Sequence, residues 1–209
     1  MKGKPEELHA GIIRLSDEVT KLARVVPWLV ETADNTGPAG PDDVDRWRDS
    51  VSVSVMTMRR LREFFAPAAK RRKRDLAPDN FVPNFEHDHR IDKKSHESEA
   101  LRAYFRQVDR TQDRLTWDTA SGAGPSEYHC LDAARTLIAM CRDFAAALHD
   151  RDPDLAQPLC AAVHDACVRM TRAEVVHDAR ASRQRDGVAA DTRWLTVTRF
   201  DQAKAHGAH

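Results

Sequence analysis

The chain has 209 residues, of which 41% are hydrophobic and 32% are charged, and 33 Lys and Arg residues balance 33 Asp and Glu residues. This length suits one domain with a sizeable hydrophobic core. The balanced charge argues against a protein attracted as a whole to nucleic acid or to an anionic membrane, although local charged patches are still compatible with it. No segment has the roughly 18 apolar residues that a membrane span needs, and the charged N-terminal stretch does not resemble a signal peptide. We therefore expect a cytoplasmic protein that does not contact a membrane.

Two amphipathic helices are predicted in the first 66 residues. The first has Pro5 in its first turn, and Pro27 is expected to kink or end it near Val26. The second begins near Pro41, after the break DNTGPAGP, and is closed by Pro67. Its alternating run VSVSV has helical spacing on both sides, so it is interpreted as helix and not as strand. The apolar seam of the first helix consists of Leu8, Ile12, Leu15, Val19, Leu22, Val26 and Leu29.

A long loop over residues 66–89 follows, because three prolines within it prevent a continuous helix. Phe81, Val82 and Phe85 are expected to anchor this loop to the core. A third helix is predicted from about Arg90 to Trp117, and the break SGAGPS ends it.

Two more helices are predicted in the second half of the chain. An apolar stripe over Tyr128–Leu148 marks the fourth. Asp152 and Pro153 fit a helix cap followed by the first helical position, although Pro158 suggests that the fifth helix restarts one turn later. The helical pattern fades after about Arg183.

The predicted fold is all-α: a single-domain antiparallel bundle of about five helices, with a long loop between helices two and three. The bundle domain is expected to span residues 1–183. Residues 184–209 are expected to form a C-terminal tail that is partly disordered or docks through one apolar patch. That patch consists of Trp194, Leu195, Val197 and Phe200.

A cluster of basic residues lies where the second helix meets the long loop. Side chains of this kind contact nucleic-acid phosphates, so the cluster is a candidate RNA-binding patch; the alternative is a solvated loop whose charges are offset by nearby acids. The candidate residues are Arg59 and Arg62 in the helix and Lys70, Arg71, Arg72, Lys73 and Arg74 in the loop.

The string RIDKKSH at residues 90–96 contains a candidate catalytic set of Arg90, Asp92 and His96. Asp92 lies one helical turn from His96, where its carboxylate would orient the imidazole and favour its protonated form. This combination suits metal-free RNA cleavage, in which the histidine transfers a proton and the arginine holds the phosphate. On an ideal helix Arg90 and His96 point roughly 120° apart. They converge only if Arg90 lies in the cap or if a second subunit completes the site.

The helix end LREFF, the loop DLAPDNFVPNF and the string RIDKKSH together resemble the HEPN-like helical superfamily, in particular its uncharacterised bacterial members. The resemblance covers about residues 51–102. It implies a dimeric helical protein with an Arg-x(4–6)-His motif and metal-independent RNase activity. By position the motif falls on Arg90 and His96, with Asp92 where the related loop usually has Asn.

The same spacing also occurs at Arg142 and His149, Arg172 and His177, and Arg199 and His206. The surrounding loop favours Arg90 and His96, whereas Arg172 and His177 are a rival pair within a continuous helix. A second hypothesis is a non-catalytic helical module that binds a protein partner or nucleic acid. Both hypotheses predict no cofactor, and the first predicts a homodimer.

Four cysteines, Cys130, Cys141, Cys160 and Cys167, lie in helical patterns, so reduced thiols are expected. Cys160 and Cys167 share a helix face with His164, and all three are residue types that bind zinc. Beside small alanines, ordinary helix packing is the favoured interpretation. The segment EHDH at residues 86–89 is interpreted as a polar helix cap, since no third ligand is evident. No metal site is therefore predicted.

Overall fold

The computed structural model describes residues 4–34, 41–66, 75–85, 101, 127–183 and 196–198. Helices make up most of these ranges, and the described part of the chain is all-α, as predicted. Two three-residue strands also pair antiparallel, with Tyr128 opposite Val197. The elements are α1 (Pro5–Asp34), α2 (Pro41–Phe64), a 3-10 turn (Pro78–Asn80), β1 (Glu127–His129), α3 (Leu131–His149), α4 (Pro153–Arg183) and β2 (Thr196–Thr198).

Helix α1 is the element on which the other helices pack. Every residue of its predicted seam, from Leu8 to Leu29, is at most 6% exposed. α1 contacts α2, α3 and α4. Burying a large aliphatic side chain stabilises a fold by about 1.5–3 kcal/mol, so the seam is a major source of stability.

Pro27 is expected to kink or end the first helix, and of these two outcomes the end is wrong, because α1 continues through this proline to Asp34. A proline inside a helix removes one backbone hydrogen bond and costs about 3 kcal/mol. Leu29 and Val30 lie beyond Pro27 and are at most 1% exposed. Their burial contributes about 1.5–3 kcal/mol each, which is large enough to offset a cost of this size.

The fifth helix starts at Pro153, which directly follows the expected cap at Asp152, whereas the fourth helix starts later than expected. α4 begins at Pro153 and runs through Pro158, so the expected restart one turn later is wrong. Pro158 has fully buried helical neighbours on both sides, Ala156 and Leu159, whose packing holds the helix together. α3 begins only at Leu131; the backbone at Tyr128 pairs with β2 instead of entering the helix.

The helical interpretation of VSVSV is confirmed, since this run lies inside α2. Val51 and Val55, one turn apart, face the core, whereas Val53 is 41% exposed. The predicted third helix lies outside the described residues except for Leu101, which is helical and fully buried. Of the predicted tail patch, only Val197 is among the described residues.

Phe144 of α3 joins three separate segments through ring contacts. Its ring centroid lies 5.2 Å from that of Phe64 in α2 and 5.3 Å from that of Phe85 in the segment 75–85. Phe65 and Phe81 complete the group at 6.3 and 5.9 Å. Edge-to-face pairs of this kind add about 0.5–1.5 kcal/mol beyond their buried area. Phe81 and Phe85 therefore anchor the long loop to the core, as predicted.

Helices α3 and α4 form a tight antiparallel hairpin. The Asp152 N–H donates to the carbonyl oxygen of Leu148 (2.8 Å), and the Leu155 N–H donates to the Asp152 carboxylate (3.0 Å). The predicted cap at Asp152 is thus confirmed. At the other end of the hairpin, Arg135 of α3 forms an ion pair with Glu174 of α4.

We expect Asp152→Ala to lower the free energy of unfolding by about 1 kcal/mol, because the Leu155 N–H loses its acceptor. Asp152→Asn is the matched control, since its amide oxygen can still accept this bond. Urea denaturation of the three proteins measures the difference. Equal stability of the Ala and Asn variants would contradict the cap assignment.

Candidate functional site

A cleft of about 870 Å³ lies along the hairpin between α3 and α4. We call it the α3–α4 cleft. Its volume falls within the range of about 300–1,000 Å³ typical of sites for small ligands. Its lining residues are Arg142, Ala145, Ala146 and His149 of α3 and Pro153, Asp154, Gln157, Cys160, Val163, His164 and Cys167 of α4.

The deeper part of the cleft is apolar. Ala145 and Val163 are 3% and 4% exposed, and Cys160 and Cys167 are half-buried beside them. The Cys160 thiol makes a weak hydrogen bond to the carbonyl oxygen of Ala145 at 3.9 Å. This lining favours apolar groups of a ligand.

Polar side chains form the rim of the cleft. His149 and Asp154 lie at the turn of the hairpin, and His164 and Arg142 lie farther along it. The Arg142 side chain is 60% exposed, and its guanidinium donates to the neighbouring Asp143 carboxylate at 3.2 and 3.3 Å. The rim therefore offers one guanidinium, two imidazoles and one carboxylate to a ligand.

Arg142 and His149 match the Arg-x(4–6)-His spacing and line the same cleft. Seven residues complete about two helical turns, so both lie on one face of α3. His164 approaches the cleft from α4. Of the Arg–His pairs with this spacing, Arg142 and His149 are thus a pair in which both residues line the cleft.

The other pairs with this spacing have different placements. Arg90, Asp92 and His96 lie outside the described residues, as do Arg199 and His206. Arg172 is exposed on α4 but does not line the cleft, and the side chain of His177 lies outside the described part. Five positions apart on an ideal helix, these two residues point roughly 140° apart.

The described residues of the predicted basic patch already interact within the fold. Arg59 and Arg62 are half-buried, and each interacts with a neighbouring group. Between them, Arg60 donates to the Glu18 carboxylate of α1 at 2.8 Å. The five basic residues Lys70, Arg71, Arg72, Lys73 and Arg74 lie outside the described residues.

Glu18 of α1 forms an ion pair with Arg60 of α2. Partial burial alone would raise the pKa of its carboxyl group, but hydrogen bonds and positive charge from Lys21 and Arg60 lower this pKa below its ordinary value. Glu18 is therefore ionised at neutral pH and holds Arg60 at the helix interface. This engagement leaves Arg60 less available to a phosphate.

The four cysteines are free thiols and fall into two classes. Burial raises the pKa of Cys130 to about 12. Burial also raises the pKa of Cys141 far above its usual range, and the nearby Cys167 contributes in the same direction. Cys160 and Cys167 line the cleft instead. No group of three or more potential ligands among His, Cys, Asp and Glu is placed to hold a metal within the described ranges.

Sequence reasoning placed Cys160, His164 and Cys167 on one helix face, and these three residues do line one cleft. It did not identify Arg142 and His149 as the residues opposite them. Their spacing is a signal, but the pairing of α3 with α4 decides which faces meet, and spacing alone does not carry that information.

Comparisons with known proteins identify no relative. No protein-family model matches the chain, no curated protein is detectably similar in sequence, and no solved structure matches the fold. Among the described helices, none has an apolar stretch long enough to cross a membrane.

We expect a thiol reagent to modify Cys160 and Cys167 in the native protein much faster than Cys130 and Cys141. The first two thiols are half-buried in an open cleft, whereas the other two are at most 2% exposed, and a raised pKa suppresses the reactive thiolate. Alkylation followed by peptide mass spectrometry measures each rate, with the unfolded protein as the control. Equal native rates at all four cysteines would contradict this placement.

Proposed function

We propose that the protein is a non-catalytic helical module that binds apolar side chains of a partner protein in the α3–α4 cleft. The observation that carries this proposal is the combination of an apolar interior at Ala145 and Val163 with a polar rim that carries the exposed Arg142 guanidinium. Such a lining suits an amphipathic segment whose apolar side chains enter the cleft. An acidic group on the segment would meet Arg142 at the rim.

A protein partner is favoured over nucleic acid at this site. Among the residues that the structure describes, no Phe, Tyr or Trp lines the cleft, so only its two imidazoles could stack on bases. Asp154 at the rim would also repel a phosphate backbone. Arg59, Arg60 and Arg62 of α2 interact within the fold, which further lowers the number of cations available to RNA.

The cleft can be tested with the fluorescent probe 1-anilinonaphthalene-8-sulfonate, which has apolar rings and one anionic group. We expect saturable binding, and Ala146→Trp should weaken it by about tenfold or more, because the indole would fill the cleft. Val53→Trp is the matched control at an exposed position of α2. Equal probe affinity in both variants would contradict the assignment of the cleft as an apolar binding site.

The partner itself is tested by placing a photo-crosslinking residue at Gln157, an exposed lining residue of the cleft, in the cells that produce the protein. The proposal predicts one discrete protein adduct that disappears in the Ala146→Trp background. The same crosslinker at Val53 should not yield this adduct. An adduct that forms regardless of the cleft substitution would contradict the proposal.

Metal-independent RNA cleavage by a HEPN-like protein is the second candidate function. The presence of Arg142, His149 and His164 along one cleft supports it, because two imidazoles and a guanidinium can transfer protons and hold a phosphate without a metal. Arg90, Asp92 and His96 are the other candidate set for this chemistry. A homodimer, which the resemblance implies, would allow residues of two subunits to complete a site.

RNA cleavage in the presence of EDTA distinguishes the two candidate sets. If the RNase hypothesis holds, either His149→Ala or His96→Ala should abolish cleavage while leaving thermal stability unchanged, and the inactive variant identifies the set. His164→Ala then separates a one-histidine from a two-histidine site. Absence of RNA cleavage by the wild-type protein would reject this candidate and leave the binding module.

We also propose that the protein works in the reducing environment of the cytoplasm. The free thiols of Cys130 and Cys141 support this location, because both are packed in the apolar interior as small hydrophobic groups.

A further inference from the structure

The outer face of α4 carries exposed apolar residues at a regular spacing. Val168 and Val175 are 57% and 61% exposed, the largest exposures among the large hydrophobic residues of the described part. Ala161, seven residues before Val168, is exposed as well. Residues seven apart lie on one helix face, and this face is opposite to the buried one that includes Met170. We call Ala161, Val168 and Val175 the outer stripe.

The two halves of α4 carry opposite charge. Residues 153–168 include two aspartates and no Lys or Arg, which gives a net charge of −2. Residues 169–183 include four arginines and two acidic residues, which gives +2. Two such helices attract each other when they run antiparallel, and they repel each other when they run parallel.

Arg172 lies beside the outer stripe, between Val168 and Val175 in the sequence. It is exposed and forms no hydrogen bond or ion pair in the part of the chain that the structure describes. Arg169, by contrast, pairs with Asp165 within the helix at 2.7 Å. The exposed apolar groups of the stripe thus lie beside one cation that can pair with an acidic residue of another chain.

We infer that the outer stripe of α4 binds the same stripe of a second copy of this chain in antiparallel orientation. A two-fold axis at Val168 places each Ala161 opposite Val175 of the other copy. It also brings each Asp165 close to Arg172 of the other copy. Because of the two-fold symmetry, each of these two contacts occurs twice in the dimer. Both subunits therefore contribute the same surface patch to the interface. This interface lies on the outer face of α4 and goes beyond the proposed function of the cleft.

The charges give a test that depends on the antiparallel arrangement. Arg172→Glu places two acidic residues against each other at both symmetric contacts, and Asp165→Lys places two basic residues there. Each variant alone should associate about tenfold or more weakly than the wild type. An equimolar mixture of the two variants restores an acid–base pair at both contacts, so association should return close to the wild-type level.

Sedimentation equilibrium from low micromolar to near-millimolar concentration measures this association on the full chain. Val168→Asp should also weaken it, and Val53→Asp, at an exposed position of α2, is the matched control that should not. Circular dichroism checks that each variant is folded. A wild type that stays monomeric, or a mixture that associates no better than either variant alone, overturns the inference.

Discussion

The apolar seam of α1, from Leu8 to Leu29, is covered by α2, α3 and α4. The buried residues of α1 lie on one face of the helix, and the side chains of its seam are almost completely shielded from water. Its apolar burial also explains why α1 tolerates Pro27, since burial of the residues beyond the proline is large enough to offset the lost hydrogen bond. The three other helices of the described part pack against α1.

The packing on α1 decides which faces of α3 and α4 stay accessible. The inner face of α3 is held by Phe144, whose ring joins α2 and the segment 75–85 to the hairpin. The inner face of α4 is buried as well, so its remaining surface divides into the side that lines the α3–α4 cleft and the outer stripe. Cys167 belongs to the first and Val168 to the second. Adjacent residues on one helix are thus assigned to two different surfaces.

The amphipathic helices could be predicted because an apolar seam and a cap are local patterns. The seam of α1, the helical state of VSVSV and the cap at Asp152 all follow from spacing and side-chain chemistry. The passage of α4 through Pro158 and the late start of α3 after Tyr128 depend on tertiary packing and strand pairing, which no local pattern contains. The cleft is the feature that is hardest to predict from the sequence. Its walls come from two helices, and a local pattern does not show which faces of these helices meet. The catalytic hypothesis for residues 90–96 stays a prediction, because these residues lie outside the described part.

Native-state hydrogen exchange tests most directly whether the packing on α1 fixes the hairpin. The account predicts that the buried amides of α1, α3 and the first five turns of α4 open together, with free energies near that of global unfolding. Amides of the cleft walls would then be as protected as those of the α1 seam. If α3 and α4 instead exchanged at much lower free energy while α1 stayed protected, the hairpin would be a separate unit, and the cleft could not be regarded as fixed by the core.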